Sequence, residues 1–516
     1  MTGSSPPSEL RQPLPTWSSS HSEGPSRENL KMNKEHERVS VLPTRLIIGD
    51  ERVEKSTGGV FEHVNPTTGR VQRSVAMAGP QEIDRAVEVA RAALPEWRRW
   101  TPAARRRVLV KLADLLREHE DELRTIMTLE SGNTVTLTPW LVDFAVNVTE
   151  DAAGWAERIY GDTLPFSDND HFKYSSPEPV GVVGVITTWN GSVPSLATVV
   201  ASAMAAGCTV VAKPSELGPF GPLRFAELCL EAGIPAGVMN VVPGSNEAGE
   251  ALVSHPGIDK IAFVGSAPVA RKIAASAAPR LTPCLFELGG KSARLVFDDA
   301  DIDRVVEAAM SVTMISGQAC TMGSRFLVHS HVYDEVAERL TKQLQSVKIG
   351  DPFDPDTTMG PVVNNVACDR ILGLVDRARD SANVLTGGTR LGGDLSEGFF
   401  IGPTLVADVD NSSELAQTEA FGPVLAMTRF EDEDDAIAYA NDSEYGLAGY
   451  VFTQDLSRAH RVASQINAGV IGINGAFAPA GDGMPFGGRK SSGYGKVEGR
   501  AGVMEFIDMK TVSIRL

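Results

Sequence analysis

The sequence predicts an α/β fold of two doubly wound parallel-sheet domains, and three observations carry that prediction. After Pro179, short Val/Ile-rich runs alternate with helical stretches, the rhythm of successive βαβ units. The runs are apolar throughout rather than alternating, as strands covered on both faces require. A second series of the same kind runs from about residue 293 to 473. At roughly 150 residues per domain, a chain of 516 residues holds two to four domains.

Taken in order, the first 40 residues hold nine Ser and five Pro with no apolar h-region, which predicts a disordered tail and not a secretory signal. Apolar residues at helical spacing predict helices over 81–98 and 102–131. The stretch from Pro179 to Ala212 carries no charge and is long enough to span a bilayer. Its glycines, the Trp189-Asn190-Gly191-Ser192 break and Pro194 divide it instead into strand, loop, helix and strand. Strands are predicted at Val182–Thr187, Thr209–Ala212, Val238–Val242, Lys260–Val264 and Leu285–Leu288, with helices near 195–206, 218–232, 246–254 and 267–277. The second series has strands at Arg294–Phe297, Arg325–His329, Gly449–Phe452 and Gly469–Ile473 and a helix over 332–347. The terminal stretch Glu505–Leu516 alternates as a strand and needs a partner, in its own sheet or in another subunit.

Lys and Arg number 48 against 66 Asp and Glu, a formal charge of −18 that repels phosphate backbones and excludes nucleic acid as the expected partner. Five scattered cysteines are too few for a disulfide framework and fit a reducing cytoplasm.

Each strand end of the first series carries unusual residues. Thr187 leads into Thr188-Trp189-Asn190, Ala212 into Lys213-Pro214-Ser215-Glu216, and Val264 into Gly265-Ser266 at a helix start. Glu287-Leu288-Gly289-Gly290 closes the last strand, and Gly317-Gln318-Ala319-Cys320 follows. Singly these are weak signals, since a lone Cys is ordinarily a small buried hydrophobe. Their placement at successive loops of one sheet marks the carboxyl edge where such folds bind ligands. His329 and His331 form an HxH pair without a third ligand in sequence, so no metal site is expected.

In this order the motifs resemble the NAD(P)-dependent aldehyde dehydrogenase superfamily from about Arg45 to Val512. They are EPVGVVGVI at 178–186, AAGCTVVAKPSE at 205–216, ELGGKS at 287–292, GQAC at 317–320, EAFGPV at 419–424 and PFGG at 485–488. The resemblance implies a Rossmann-like NAD-binding domain from 41–158 and 180–288 and a catalytic domain from 289–487. It also implies a β oligomerisation arm from 159–179 and 488–516, with the chain working as a homodimer or homotetramer. It implies Cys320 as nucleophile, Glu287 as general base and Asn190 as oxyanion donor, acting on an aldehyde. NAD would be held by Thr187, Thr188, Trp189, Lys213, Ser215, Glu216, Gly265, Ser266, Leu288, Glu419 and Phe421. The chemistry is consistent: a thiolate adds to the carbonyl, the oxyanion expels hydride, and the thioester left behind is hydrolysed. A carboxylate at Glu216 would repel a 2′-phosphate, which favours NAD over NADP. Two rivals remain: a CoA-acylating dehydrogenase, which would have no use for Glu287, and a non-catalytic NAD-binding relative, which would have no use for the trio.

The chain departs from the family pattern at informative places. Thr188 stands where many members have Pro, and Gly191-Ser192 where many have Phe-Pro, which predicts a wider or reshaped substrate tunnel. Val264 and Ala270 replace the common Thr and Gly of the pyrophosphate turn. Val199 and Val497 replace a Lys and a Glu that pass the base's proton to solvent in many members, so Glu287 is expected to exchange its proton by another path. The loops near 191–197, 319–322 and 475–484, with Phe477 and Met484, suggest an apolar, medium or bulky aldehyde.

Overall fold

The computed structural model describes residues 38–165, 170–475, 481 and 483–516. Most of the predicted tail, and Phe477, lie outside them. Val41–Leu516 forms one compact unit.

An eight-stranded sheet is ordered Gly493–Tyr494, Cys284–Leu288, Lys260–Gly265, Val182–Thr187, Thr209–Pro214, Met239–Val241, Leu46–Ile48 and Glu51–Val53. The five central strands, from Cys284–Leu288 to Met239–Val241, run parallel. Val182–Thr187 is the first of them in the chain, and its successors lie on both sides, so the winding reverses at its carboxyl end. That reversal opens a crevice between neighbouring loops. Val182–Thr187 and Thr209–Pro214 are buried along their whole length, which explains their unbroken apolar runs.

The seven-stranded sheet is ordered Asn383–Thr386, Thr404–Ala407, Val424–Phe430, Arg325–His329, Ala293–Val296, Ala448–Phe452 and Val470–Ile473, and is parallel except at the Asn383–Thr386 edge. Its first strand, Ala293–Val296, again lies between its successors.

The uncharged stretch is strand, helix Ser192–Ala206 and strand, as its breaks predict. Among the described residues no helix is long and apolar enough to cross a membrane. The Ser192–Ala206 helix is almost entirely buried, packed against Pro102–Glu118, Thr138–Ala156 and Phe220–Glu231, so it has no polar face to show.

Two expectations change and one open alternative is settled. The helix predicted over 102–131 is two, Pro102–Glu118 and Glu120–Ser131, broken at His119 (φ −98°, ψ 21°). The His119 ring meets Glu122, three residues on, at 3.0 Å and Arg224 of helix Phe220–Glu231 at 3.3 Å; the first contact is local and the second tertiary. The C-terminal strand, Ile507–Arg515, finds its partner within the chain. It pairs antiparallel with His171–Pro179 from Ile507↔Pro179 to Arg515↔His171 in a separate two-stranded ribbon. Gly493–Tyr494, expected in the arm, instead edges the first sheet against Phe286 and Glu287.

Candidate active site

A cavity of about 580 Å3 opens at the carboxyl end of Val182–Thr187, lined among others by Asn190, Glu287 and Cys320. These residues are 130 positions apart along the chain (190 to 320), yet one crevice gathers them.

The Cys320 loop is shaped by the residues of its own motif. Ile315, Ser316 and Gly317 take φ of 48°, 51° and 72°, a left-handed run that ordinary side chains resist. A Cβ on Gly317 would lie 2.3 Å from backbone atoms of Gly422, so only glycine fits there. The Gln318 amide donates to the Ile315 carbonyl at 2.9 Å and accepts from the Val363 amide at 2.9 Å, which pins the turn from both sides. Burial, with Glu419 and Glu287 adding like charge, pushes the Cys320 thiol up to about 12. The backbone amides of Cys320 and Thr321 pull the other way, favouring the thiolate.

Asn190 Nδ2 donates to the Gln318 carbonyl at 2.8 Å, and Thr188 Oγ1 donates to Asn190 Oδ1 at 2.6 Å. A carbonyl only accepts, so the Gln318 contact fixes which end of the amide carries hydrogens. Thr188, expected at the cofactor, also orients the amide. Replacing it by Val removes the oriented donor at nearly constant shape, for a loss of about 1 kcal/mol, roughly fivefold in kcat. Thr188→Ser should restore the rate, which steady-state kinetics on both variants will check.

Glu287 is buried and neither carboxylate oxygen has a hydrogen-bond partner among the described groups. Burial holds its pKa well above the ordinary range; Lys496 opposes this, while Glu498 and Glu505 add to it. Val199 and Val497 both line the same cavity, so the two departures from the family pattern border one space.

Of the residues expected at the cofactor, the cavity brings together Thr188, Trp189, Gly265, Ser266, Leu288, Glu419 and Phe421. Trp189 and Phe421 meet edge to face at 5.7 Å. Phe421 has φ 45°, a strained conformation for a bulky residue, and Arg370 Nη1 holds the turn through the Ala420 carbonyl at 2.5 Å. Glu419 folds over the glycine pair, accepting from the Gly290 amide at 3.0 Å, and burial raises its carboxyl to about 7. A Cβ on Gly289 would strike its carboxylate at 1.9 Å. Ser266 is the N-cap of helix Ala267–Ala277 but makes no side-chain cap bond; Pro268 has no N–H and the Val269 and Ala270 amides bond the Ser266 carbonyl, so Ala267 offers the first-turn amide for a ligand.

Thr187, Lys213, Ser215 and Glu216 do not line this cavity. They stand at the adjoining strand ends, where Ser215 N donates to the Thr187 carbonyl at 3.1 Å. Lys213 Nζ donates to the Gly244 carbonyl at 2.6 Å; burial lowers its pKa and Glu216 raises it.

Several site residues escaped the sequence reading. Trp140 and Phe144 line the cavity from helix Thr138–Ala156, one turn apart, and their i, i+4 spacing was the available signal. Arg370 and Glu498 also line it, and no motif announced either. Buried Glu130 accepts from Ser192 Oγ and, at 2.5 Å, from the Phe220 amide, tying together helices that flank the Asn190 loop; burial raises it to about 7. Asp298 supplies the third donor that spacing withheld from His329 and His331, the three ligand atoms lying within 4.8 Å of one another. Arg458 already meets the Asp298 carboxylate at 2.9 Å, and His329 Nδ1 accepts from the His331 amide at 3.2 Å, so both contacts compete with a metal. None of the three lines the cavity.

The architecture and site are those of a two-sheet α/β enzyme whose ligands bind at a topological switch point. Residues 53–512 match the family model described as the aldehyde dehydrogenase family. An aldehyde dehydrogenase of Enchytraeus buchholzi is 40% identical over 481 residues, covering 92% of this chain and 96% of that protein. A crystal structure of betaine aldehyde dehydrogenase from Staphylococcus aureus in complex with NAD+ superposes with a TM-score of 0.91 at 34% identity, covering 94% of this chain and 97% of that one. An NADP-dependent enzyme of E. coli superposes with a TM-score of 0.89 at 35% identity, covering 92% and 99%. The chain belongs to the aldehyde dehydrogenase family.

Proposed function

We propose that this protein oxidises an aldehyde to its carboxylic acid with NAD, through a covalent adduct on Cys320 that Glu287-activated water hydrolyses. The observation that carries the reading is the one cavity lined by Cys320, Asn190 and Glu287 together. The Cys320 thiol gives up its proton to solvent water and the thiolate sulfur adds to the aldehyde carbon. The Asn190 amide and the Cys320 backbone N–H receive the oxyanion, each such donor being worth about 3–4 kcal/mol. Bound NAD would accept the hydride. Glu287, with both oxygens unengaged, then takes a proton from water as it attacks the thioester.

The residues fit a dinucleotide. The uncapped helix start at Ser266 suits a pyrophosphate, Glu419 and Phe421 suit the nicotinamide end, and Lys213 with Glu216 suits the adenosine ribose. The S. aureus relative was solved with NAD+, whereas the E. coli relative is NADP-dependent; the Glu216 carboxylate supports NAD here. NADH absorbance with an aldehyde panel, NAD against NADP, and with and without CoA, tests the reading. Turnover that required CoA would overturn the hydrolytic route.

Gly191 and, on the helix that follows it, Ser195, Thr198 and Val199 line the cavity together with Trp140, Phe144 and Phe486. This supports a medium or bulky apolar aldehyde as substrate. Ser195→Phe should raise KM for ring-bearing aldehydes at least about tenfold and spare short ones, measured across the same panel.

Both faces of the Ile507–Arg515 ribbon carry exposed apolar side chains, Phe172 and Ile514 on one and Met509 on the other, which supports association with further copies as a dimer or tetramer. Five free thiols fit the reducing cytoplasm.

A further inference from the structure

We propose that Lys496 is the counter-charge that lets Glu287 ionise. The inference rests on the reading of Glu287 as the hydrolytic base.

Three observations converge. Lys496 is only half-buried, yet its side chain turns inward and Nζ donates to the Gly487 carbonyl at 2.7 Å. Gly487 separates it from the base by no more than a glycine. A Cβ built there would lie 2.5 Å from Glu287 Oε1 and 3.1 Å from Lys496 Cδ. Gly487 has φ 150°, a conformation that side chains resist, so the partition stays thin. Lys496 is therefore tied off on the Gly487 peptide. It makes no hydrogen bond to Glu287, whose oxygens stay unengaged for water, but its charge stands beside them.

The neighbouring charges agree. Lys496 is the largest charge acting on Glu287 and favours the carboxylate, whereas Glu498 and Glu505 oppose it. Glu505 accepts from the Lys496 amide through Oε1 at 3.2 Å, and its Oε2 lies 2.7 Å from Lys260 Nζ. Toward Lys496 itself, Glu287 and Glu505 favour the ammonium, and Arg489 and burial oppose it. On the nucleophile's side, the charges of Glu287 and Glu419 both act on Cys320. A buried carboxylate with two acidic neighbours and no cation would stay protonated and inert as a base.

The sign of the effect follows. A nearby positive charge lowers a carboxyl pKa, so removing it raises the pKa and moves the acid limb of kcat to higher pH. Lys496→Gln keeps a donor for the Gly487 carbonyl and removes the charge; its acid limb should move up by about one pH unit. Lys496→Arg keeps the charge and should leave the limb in place. The first-turnover NADH burst should be unchanged in both, because acylation does not use Glu287. A Lys496→Gln limb that superimposes on that of the parent enzyme overturns the proposal. So does a Lys496→Arg limb displaced as far as that of Lys496→Gln, since geometry rather than charge would then be responsible. If Glu287→Gln alone leaves steady-state turnover intact, the hydrolytic reading fails instead, and the two failures are distinguishable.

Discussion

Cys320→Ala will form no NADH from any aldehyde, a loss on the order of a millionfold, the scale on which enzymes lose rate when a covalent nucleophile is removed. The substitution deletes one sulfur from a wall of the cavity, so the fold and cofactor affinity should survive; a melting curve and NAD binding by fluorescence check that. Oxidation of an aldehyde needs an electron-rich tetrahedral carbon to expel hydride, and a methyl group in place of the thiol cannot make one. The resting thiol is not pre-ionised. Burial and the carboxylates Glu419 and Glu287 hold it up to about 12. Alkylation of Cys320 in the free enzyme should therefore accelerate as pH rises toward that value, since only the thiolate reacts. NADH formation by Cys320→Ala at rates near those of the parent enzyme would remove the thiol from the mechanism.

The pKa does not single out this cysteine. Cys208 and Cys368 are pushed up to about 11 by burial, and Cys229 rises further still. What distinguishes Cys320 is position: it is the one cysteine among the described residues that lines the cavity. Position was also what the sequence made legible. Unbroken Val/Ile runs are what strands covered on both faces must be, so the chain announces strands such as Val182–Thr187, and the residues just after them fall at the carboxyl edge. Asn190 and Glu287 could be found that way without coordinates. Trp140, Phe144 and Arg370 could not. They come from helices Thr138–Ala156 and Asn365–Ala378, and which helix face meets the crevice is decided by packing far along the chain. The break at His119 was hidden for the same reason. Apolar spacing continues through it, and the tertiary contact at the corner, with Arg224, comes from far along the chain. Lys496 is a third case. Its place beside the base depends on Gly487 lying against Glu287 Oε1, residues far apart in the chain.

Glu287→Gln should separate the two halves of the reaction. The amide is isosteric with the carboxyl and cheaper to bury, so the variant should fold at least as well as the parent enzyme. The Cys320 loop and its amides are untouched, and mixing enzyme, NAD and aldehyde should give a burst of one NADH per site. Hydrolysis then lacks its base. An amide cannot take the proton of the attacking water, and steady-state turnover should fall about a thousandfold, within the range set by general bases. Quenched samples should hold the acyl group on Cys320, visible as a mass increase on the peptide that contains it. The pH dependence of the parent enzyme follows from the same group. In its proposed role Glu287 works only as the carboxylate, and burial holds its pKa well above the ordinary range. The hydrolytic step should therefore fail as pH drops through that raised value, in a window above the usual carboxylate titration, while the burst persists. Glu287→Gln should lack that limb. Full steady-state turnover by the Gln enzyme would mean that water is activated elsewhere, and Glu287 would then be no more than a buried acid in the cavity wall.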